Sequence, residues 1–221
     1  MTTEWSTLSS QIAASLLEIG AVTLSPDKPY TWSSGMLSPI YCDNRLTLSY
    51  PEIRNRIAEG FASLIREHYP DAEVIAGTAT GAIAHGAWVA EKLNLPMVYI
   101  RSKAKGYGQQ RMVEGVLKPG QKVVVIEDLI STGGSSLKAA KAVQDEGGDV
   151  QAVLAIFTYE LSQAGQQFAD SGITVRTLST YSALLDTAVQ LNKIDEQARA
   201  LLQSWKENPA AYEQSVKSEM G

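Results

Sequence analysis

The sequence predicts an α/β protein with an open, mostly parallel sheet flanked by helices. Three observations lead there. From about residue 73 to residue 178, short apolar runs alternate with longer segments of helical periodicity. The links between them are short, as strand–helix–strand crossovers require. One run, Lys122-Val-Val-Val-Ile126, is apolar at every position after its lysine, which suits a strand covered on both faces. In such sheets ligands bind at the carboxyl ends of the strands.

The elements follow in order. Residues 6–19 place Leu8, Ile12, Leu16 and Ile19 at helical spacing. Residues 20–50 read as irregular or strand-rich, punctuated by Pro26, Pro29, Gly35 and Pro39. A second helix starts near Pro51, because proline suits the first helical turn. Its buried stripe is Ile53, Ile57, Phe61, Leu64 and Ile65. Residues 73–77 form a strand ending in a Gly-rich turn, 82–93 a helix and 97–100 a second strand. Residues 101–116 are polar, with little apolar periodicity. The run at 122–126 is the third strand, and the helix at 135–146 is stopped by Gly147-Gly148. A fourth strand at 150–157, a helix at 162–170 and a strand at 173–178 complete the alternation. From about residue 182 the tail reads as two or three short helices.

Composition narrows the function. The 221 residues suit one large α/β domain with small appended elements. Apolar residues make up 44% and charged residues 19%, enough to build a core. A net charge of −5 argues against a nucleic-acid partner, although a local basic loop can still bind a small anion. The one cysteine, Cys42, excludes an intrachain disulfide and a Cys-rich zinc site. The two histidines, His68 and His85, argue against a His-based metal site. No apolar run approaches the ~20 residues that span a bilayer, so no membrane partner is expected. The opening MTTEWSTLSSQ lacks the basic-then-apolar order of a signal peptide. A reducing cytoplasm is the expected location.

The most informative stretch is Val123-Val-Val-Ile-Glu-Asp-Leu-Ile-Ser-Thr-Gly-Gly-Ser-Ser136. A buried strand runs into two carboxylates, two aliphatic residues, a run of hydroxyl and glycine residues, and then a helix. Ser131, Thr132, Gly133, Gly134 and Ser135 can wrap an anion with backbone N–H groups and hydroxyls. Glycines allow close approach, and the helix N-terminus aims its positive end at the same anion. Glu127 and Asp128 would repel a phosphate but accept hydrogen bonds from neutral hydroxyls. A ribose 5-phosphate satisfies both halves. A plain Ser/Thr helix cap would not explain the tandem acids. The Gly-Lys-Ser/Thr ending of a Walker A loop is absent.

The segment resembles the phosphoribosyl pyrophosphate signature of type I phosphoribosyltransferases, in which an apolar strand, two acids and two aliphatics, here Leu129 and Ile130, precede Ser-Thr-Gly-Gly-Ser. The resemblance, over roughly residues 8–190, implies that fold with a small N-terminal hood over about residues 1–50; the helical tail from about 192 to 221 matches no family motif, and residues 1–221 are expected to form one domain. Residues 101–115, RSKAKGYGQQRMVEG, are similar to the catalytic loop of orotate phosphoribosyltransferases. By that match Arg101 and Lys105 are catalytic residues that bind phosphoribosyl pyrophosphate, with Tyr107 standing where the family has histidine. Ser102 stands where a second basic residue is usual, and Lys103 could serve in its place. The family's loop reaches the neighbouring subunit's site, so a homodimer is implied. A lid of cations would neutralise the leaving pyrophosphate and exclude water.

Residues 30–45, YTWSSGMLSPIYCDNR, resemble the orotate family's hood, with backbone near Tyr41 and Cys42 facing the pyrimidine. A lysine carried by many bacterial members is replaced by Ser33. Cys42 reads as a small packing residue rather than a nucleophile. Gly77-Thr-Ala-Thr-Gly81 matches the pyrophosphate turn, formed by Thr78, Ala79, Thr80 and Gly81. His85 reads as a packing or capping residue and His68 as solvent-exposed. Where family members often have an arginine for the orotate carboxylate, this chain has Thr158-Tyr-Glu-Leu161, so Ser131 and the hood backbone are the candidates. The implied cofactor is Mg²⁺, held mainly through substrate and in part by Glu127 and Asp128. The implied reaction joins orotate to phosphoribosyl pyrophosphate. A purine phosphoribosyltransferase and a non-catalytic nucleotide sensor of the same fold are the alternatives.

Overall fold

The chain's structure, a computed structural model, describes residues 3–26, 28–32, 35–103 and 111–220. Helix α1 (Thr3–Glu18) starts three residues before its apolar periodicity does and fully buries Ile12, Ala13 and Leu16. Two small antiparallel pairs follow. Strand β1 (Val22–Leu24) pairs with β4 (Ile40–Cys42), and β2 (Tyr30–Thr31) pairs with β3 (Leu37–Ser38). A 3-10 turn, Asn44–Ser49, is capped by the Asp43 carboxylate and leads into α2 (Pro51–His68). Pro51 opens that helix, where its missing N–H leaves nothing unsatisfied. Ile57 and Phe61 are fully buried, each contributing about 1.5–3 kcal/mol relative to exposure.

The central sheet is formed by β5 (Val74–Thr78), β6 (Met97–Ile100), β7 (Val113–Glu114), β8 (Lys122–Ile130), β9 (Asp149–Thr158) and β10 (Val175–Thr180). Their order is β10-β9-β8-β5-β6-β7, all parallel except the antiparallel edge strand β7. The connecting helices are α3 (Ile83–Leu93), α4 (Gly134–Asp145) and α5 (Ser162–Ser171). Val123 and Val125 enter one apolar cluster while Val124 and Ile126 enter the other. That two-sided burial is why the run has no polar alternation.

The structure adds two features to the sequence reading. Strand β8 continues four residues past Ile126, so Glu127 and Asp128 lie within the sheet rather than after it. The two-residue β7 was not legible, being too short for a period of two to show. The tail resolves into three helices, α6 (Tyr181–Gln190), α7 (Glu196–Glu207) and α8 (Pro209–Met220). Among the described residues no helix is long and apolar enough to cross a membrane.

The switch in strand order falls between β5 and β8: β5 leads outward to β6, and β8 outward to β9. The carboxyl ends of these two strands carry Thr78 and Asp128. A crevice at this point is where open α/β sheets bind ligands.

Candidate active site

The phosphate turn follows from the end of β8. Ser131 and Thr132 are half-buried, and Gly133 takes a φ of +91°. A side chain there would be strained by that backbone and would approach Phe168. Gly133 is itself the N-cap of α4, and no side chain caps the helix. The first-turn N–H groups are therefore left for a ligand, and the dipole favours an anion. A hydroxyl-capped helix is not what forms here.

The two acids have different surroundings. Glu127 is buried and accepts three hydrogen bonds: from Thr78 Oγ1 at 2.6 Å, the Asp128 N–H at 3.0 Å and Ser136 Oγ at 3.1 Å. Burial, and then the neighbouring Asp128, hold its carboxyl well above the ordinary carboxylate range. Asp128 is half-buried, and its carboxylate lies against Gly81, where any Cβ would collide with it. Asn44 Nδ2 donates to the Asp128 carbonyl at 2.6 Å, tying the strand end to the 3-10 turn.

Thr78, Ala79, Arg101, Ser102, Glu127, Asp128, Leu129, Ser131, Ser135 and Lys138 are among the residues around a cleft of about 470 Å³. The Ala79 N–H is occupied by the Ile100 carbonyl at 2.7 Å, which leaves the amides of Thr80 and Gly81 as the turn's donors. The Ala79–Thr80 peptide is cis. Arg101 is half-buried, with its backbone N–H on Met112 O and its guanidinium 3.2 Å from Glu114. Arg111 pairs with Glu146 at 3.5 Å and does not line the cleft. Lys105 and Tyr107 lie outside the described residues.

A second cleft, about 670 Å³, is lined by Thr31, Trp32, Met36, Tyr41, Cys42, Leu129, Ser131, Thr132, Tyr159 and Gln163. Leu129 and Ser131 border both. Tyr41 is 46% exposed, so it is not a core residue. The Cys42 thiol is buried and its pKa is pushed up by burial, then by Asp128 and Asp43; Sγ donates to Asn44 Oδ1 at 3.4 Å. A thiol in this state is a packing group rather than a nucleophile.

His85 is fully buried, and burial lowers its pKa to about 4. Thr47 Oγ1 donates to Asn44 O at 2.6 Å, so at its 3.1 Å contact with His85 Nε2 it must accept. His85 is thus a neutral Nε2–H tautomer packed edge-on against Trp88. It has the packing role read from the sequence, and His68 is exposed as expected.

Sequence reasoning missed several residues in and behind these walls. Trp32 and Tyr159 face the second cleft, Lys138 the first, and Asn44 bridges the hood to Asp128. Trp32 and Asn44 lie within the hood segment whose pattern was recognised, but their own roles depend on folding. Lys138 is one helical turn beyond the phosphate loop, a spacing that could have found it.

A cleft with paired acids beside an uncapped helix N-terminus, joined to a second cleft under an aromatic hood, is the arrangement of a phosphoribosyltransferase. The phosphoribosyl transferase domain model matches residues 49–179, more than half of the chain. An orotate phosphoribosyltransferase of Enterococcus faecalis (strain ATCC 47077 / OG1RF) is 56% identical over 202 residues, 91% of this chain and 96% of that protein. One from Lactiplantibacillus plantarum is 55% identical over 204 residues, 92% of this chain and 96% of that protein. The crystal structure of orotate phosphoribosyltransferase from Aeropyrum pernix superposes with a TM-score of 0.72 at 26% identity, covering 83% of this chain and 99% of that one. The chain belongs to the orotate phosphoribosyltransferase family. The purine and non-catalytic alternatives give way to that membership.

Proposed function

We propose that the two adjoining clefts divide one reaction between them: transfer of the 5-phosphoribosyl group from phosphoribosyl pyrophosphate to N1 of orotate, in pyrimidine biosynthesis. The observation that carries this assignment is their shared border at Leu129 and Ser131. There, a sugar held in one cleft presents C1 to a base held in the other. The 5-phosphate takes the N-terminal amides of α4 and the hydroxyls of Ser131, Thr132 and Ser135. Asp128 accepts the ribose hydroxyls. Glu127, already holding three donors, sets the strand end and backs Asp128. The amides of Thr80 and Gly81 face the pyrophosphate, with Arg101 and Lys105 neutralising its charge. The bond from C1 to pyrophosphate oxygen breaks as C1 bonds to N1, the pyrophosphate takes the electron pair and the N1 proton is released. The protein's part is positioning and charge stabilisation.

Among the described residues no group of three or more His, Cys, Asp or Glu could hold a metal. The half-buried Asp128 carboxylate, a hard oxygen donor lining the first cleft, would suit Mg²⁺ carried mainly by substrate oxygens. Mg²⁺ supplies neutralisation of pyrophosphate charge when bound. The assignment also includes a cytoplasmic homodimer whose 101–115 loops act across subunits. Orotate consumption, followed spectrophotometrically with phosphoribosyl pyrophosphate, tests the function. We expect turnover that requires Mg²⁺ and is absent with adenine, hypoxanthine or xanthine. Turnover of a purine in place of orotate would overturn the assignment.

A further inference from the structure

The C-terminal helices lie beyond the matched family domain, and no motif in them suggested a role. Their packing supplies one. The second cleft has two walls: the hood, through Thr31, Trp32 and Met36, and the end of β9, through Tyr159. Adjacent residues of α7 hold both.

Trp205 is fully buried, and its Nε1–H donates to the Leu37 carbonyl in β3 at 3.2 Å. Leu37 is paired with Thr31, so this bond holds the hood hairpin from behind. The same indole meets Trp32 at 5.8 Å and Tyr159 at 5.9 Å between ring centroids, both edge-to-face, and Tyr181 at 5.5 Å. Trp32 and Tyr159 in turn lie 4.9 Å apart, with the Trp32 indole donating to Ile40 O.

Lys206 completes the second attachment. Its Nζ donates to Ser182 Oγ at 3.0 Å and lies 3.7 Å from the Glu160 carboxylate, which also accepts the Ser182 N–H at 2.7 Å. Glu160 follows Tyr159 directly and takes a φ of +55°, a conformation held by these contacts. The Tyr181 hydroxyl donates to Leu202 O at 3.0 Å, and Tyr212 of α8 reaches Pro26 O at 3.4 Å.

From this juxtaposition we infer that α7 is a clasp that sets the spacing between the two walls of the base cleft, with Trp205 and Lys206 as positioning residues for orotate. The inference rests on the assignment of that cleft to the base. Neither residue lines either cleft, so each acts through Trp32, Leu37 and Tyr159–Glu160. The phosphoribosyl pyrophosphate cleft, built on β5, β8 and α4, is the internal control. Edge-to-face ring packing and one partly buried hydrogen bond are enough to matter for a cleft whose described lining carries no Lys or Arg to anchor an anionic base.

The test uses the full chain with Trp205→Phe, Trp205→Leu and Lys206→Met. Steady-state kinetics are measured with each substrate varied at saturation of the other. We expect Trp205→Leu to raise KM for orotate about tenfold and to leave KM for phosphoribosyl pyrophosphate within about twofold. Trp205→Phe keeps a ring but loses the bond to Leu37 O, and Lys206→Met loses the tie to Glu160; each should give a rise of roughly threefold. Should Trp205→Leu fail to fold, the other two carry the test. Hydrogen exchange of the ligand-free variants should quicken at residues 28–42 and 159–161 and stay unchanged at 122–136. Both KM values moving together, or lower thermal stability with both KM values unchanged, would overturn the clasp. Failure of the unmodified chain to consume orotate would strike the functional assignment instead, and the exchange pattern would still decide whether α7 holds the two walls.

Discussion

At the scale of single residues, the informative feature is that adjacent acids do different work. Glu127 is buried with a raised pKa, so between its ordinary value of 4.5 and its folded value the unfolded chain releases the proton first. Its contribution to stability therefore falls as pH rises through that window. Glu127→Gln removes this titration. We expect its melting temperature, relative to the unmodified protein, to improve by roughly 2–4 °C per kcal/mol between about pH 5 and pH 8 without ligands. Thermal scans at the two pH values measure this, and a constant difference would place the proton elsewhere. His85 runs the other way: depressed to about 4, it costs stability as pH falls below 6.5. Gly81 is needed for space, because Asp128's carboxylate lies where a Cβ would stand. Gly81→Ala should lower kcat by about tenfold or more through displacement of Asp128. A variant with unchanged kcat would show that the carboxylate yields harmlessly.

At the scale of elements, the site is made where strands end. β8 delivers Asp128 and the proposed phosphate turn, β5 delivers Thr78 and the proposed pyrophosphate turn, and β6 leads into Arg101. Cations are proposed to act from two directions. Lys105 belongs to the loop, and Lys105→Ala should lower turnover by orders of magnitude with modest change in ribose-phosphate affinity. Unchanged turnover would remove the loop from the mechanism. Lys138 comes from α4. It lines the cleft, and its Nζ lies 3.4 Å from the Ser102 carbonyl, with no carboxylate partner among the described residues. Lys138→Met should raise KM for phosphoribosyl pyrophosphate about threefold or more. Lys141→Met, which breaks an exposed pair with Asp145 on the same helix, is the control and should change neither KM. Equal effects of the two variants would reduce Lys138 to general charge. The phosphate loop was legible because its chemistry is contiguous. Lys138 was passed over, because a lone lysine in a helical segment also reads as a solvated face and only its one-turn spacing from the loop marked it.

At the scale of the whole molecule, the sheet is covered on both faces, and the hood and the end of β9, backed by the tail, wall the second cleft. The proposed sharing of loops between subunits is tested by mixing two inactive chains, Lys105→Ala and Asp128→Asn, after dissociation and reassociation. If each loop serves its neighbour's site, mixed dimers regain one intact site and activity returns to a substantial fraction of the unmodified rate. No recovery, in a preparation shown by sedimentation to contain dimers, would place each loop over its own site.

Local chemistry was decided by the sequence itself. Val123–Ile126, apolar at every step, read as a strand covered on both sides, which the structure shows, and the order of the acids, hydroxyls and glycines that follow was enough to propose a ribose phosphate. Tertiary structure alone decided which acid is buried and which lies half-buried at the cleft, because Thr78 and Ser136, far apart in the chain, converge on Glu127. It also decided what builds the second cleft: Trp32, Tyr159 and Trp205 lie more than a hundred residues apart at the extremes and meet only when the tail folds back on the hood. Hydrogen bonds and ring contacts act over a few ångströms of space, and linear order carries no record of which distant segments that space will hold.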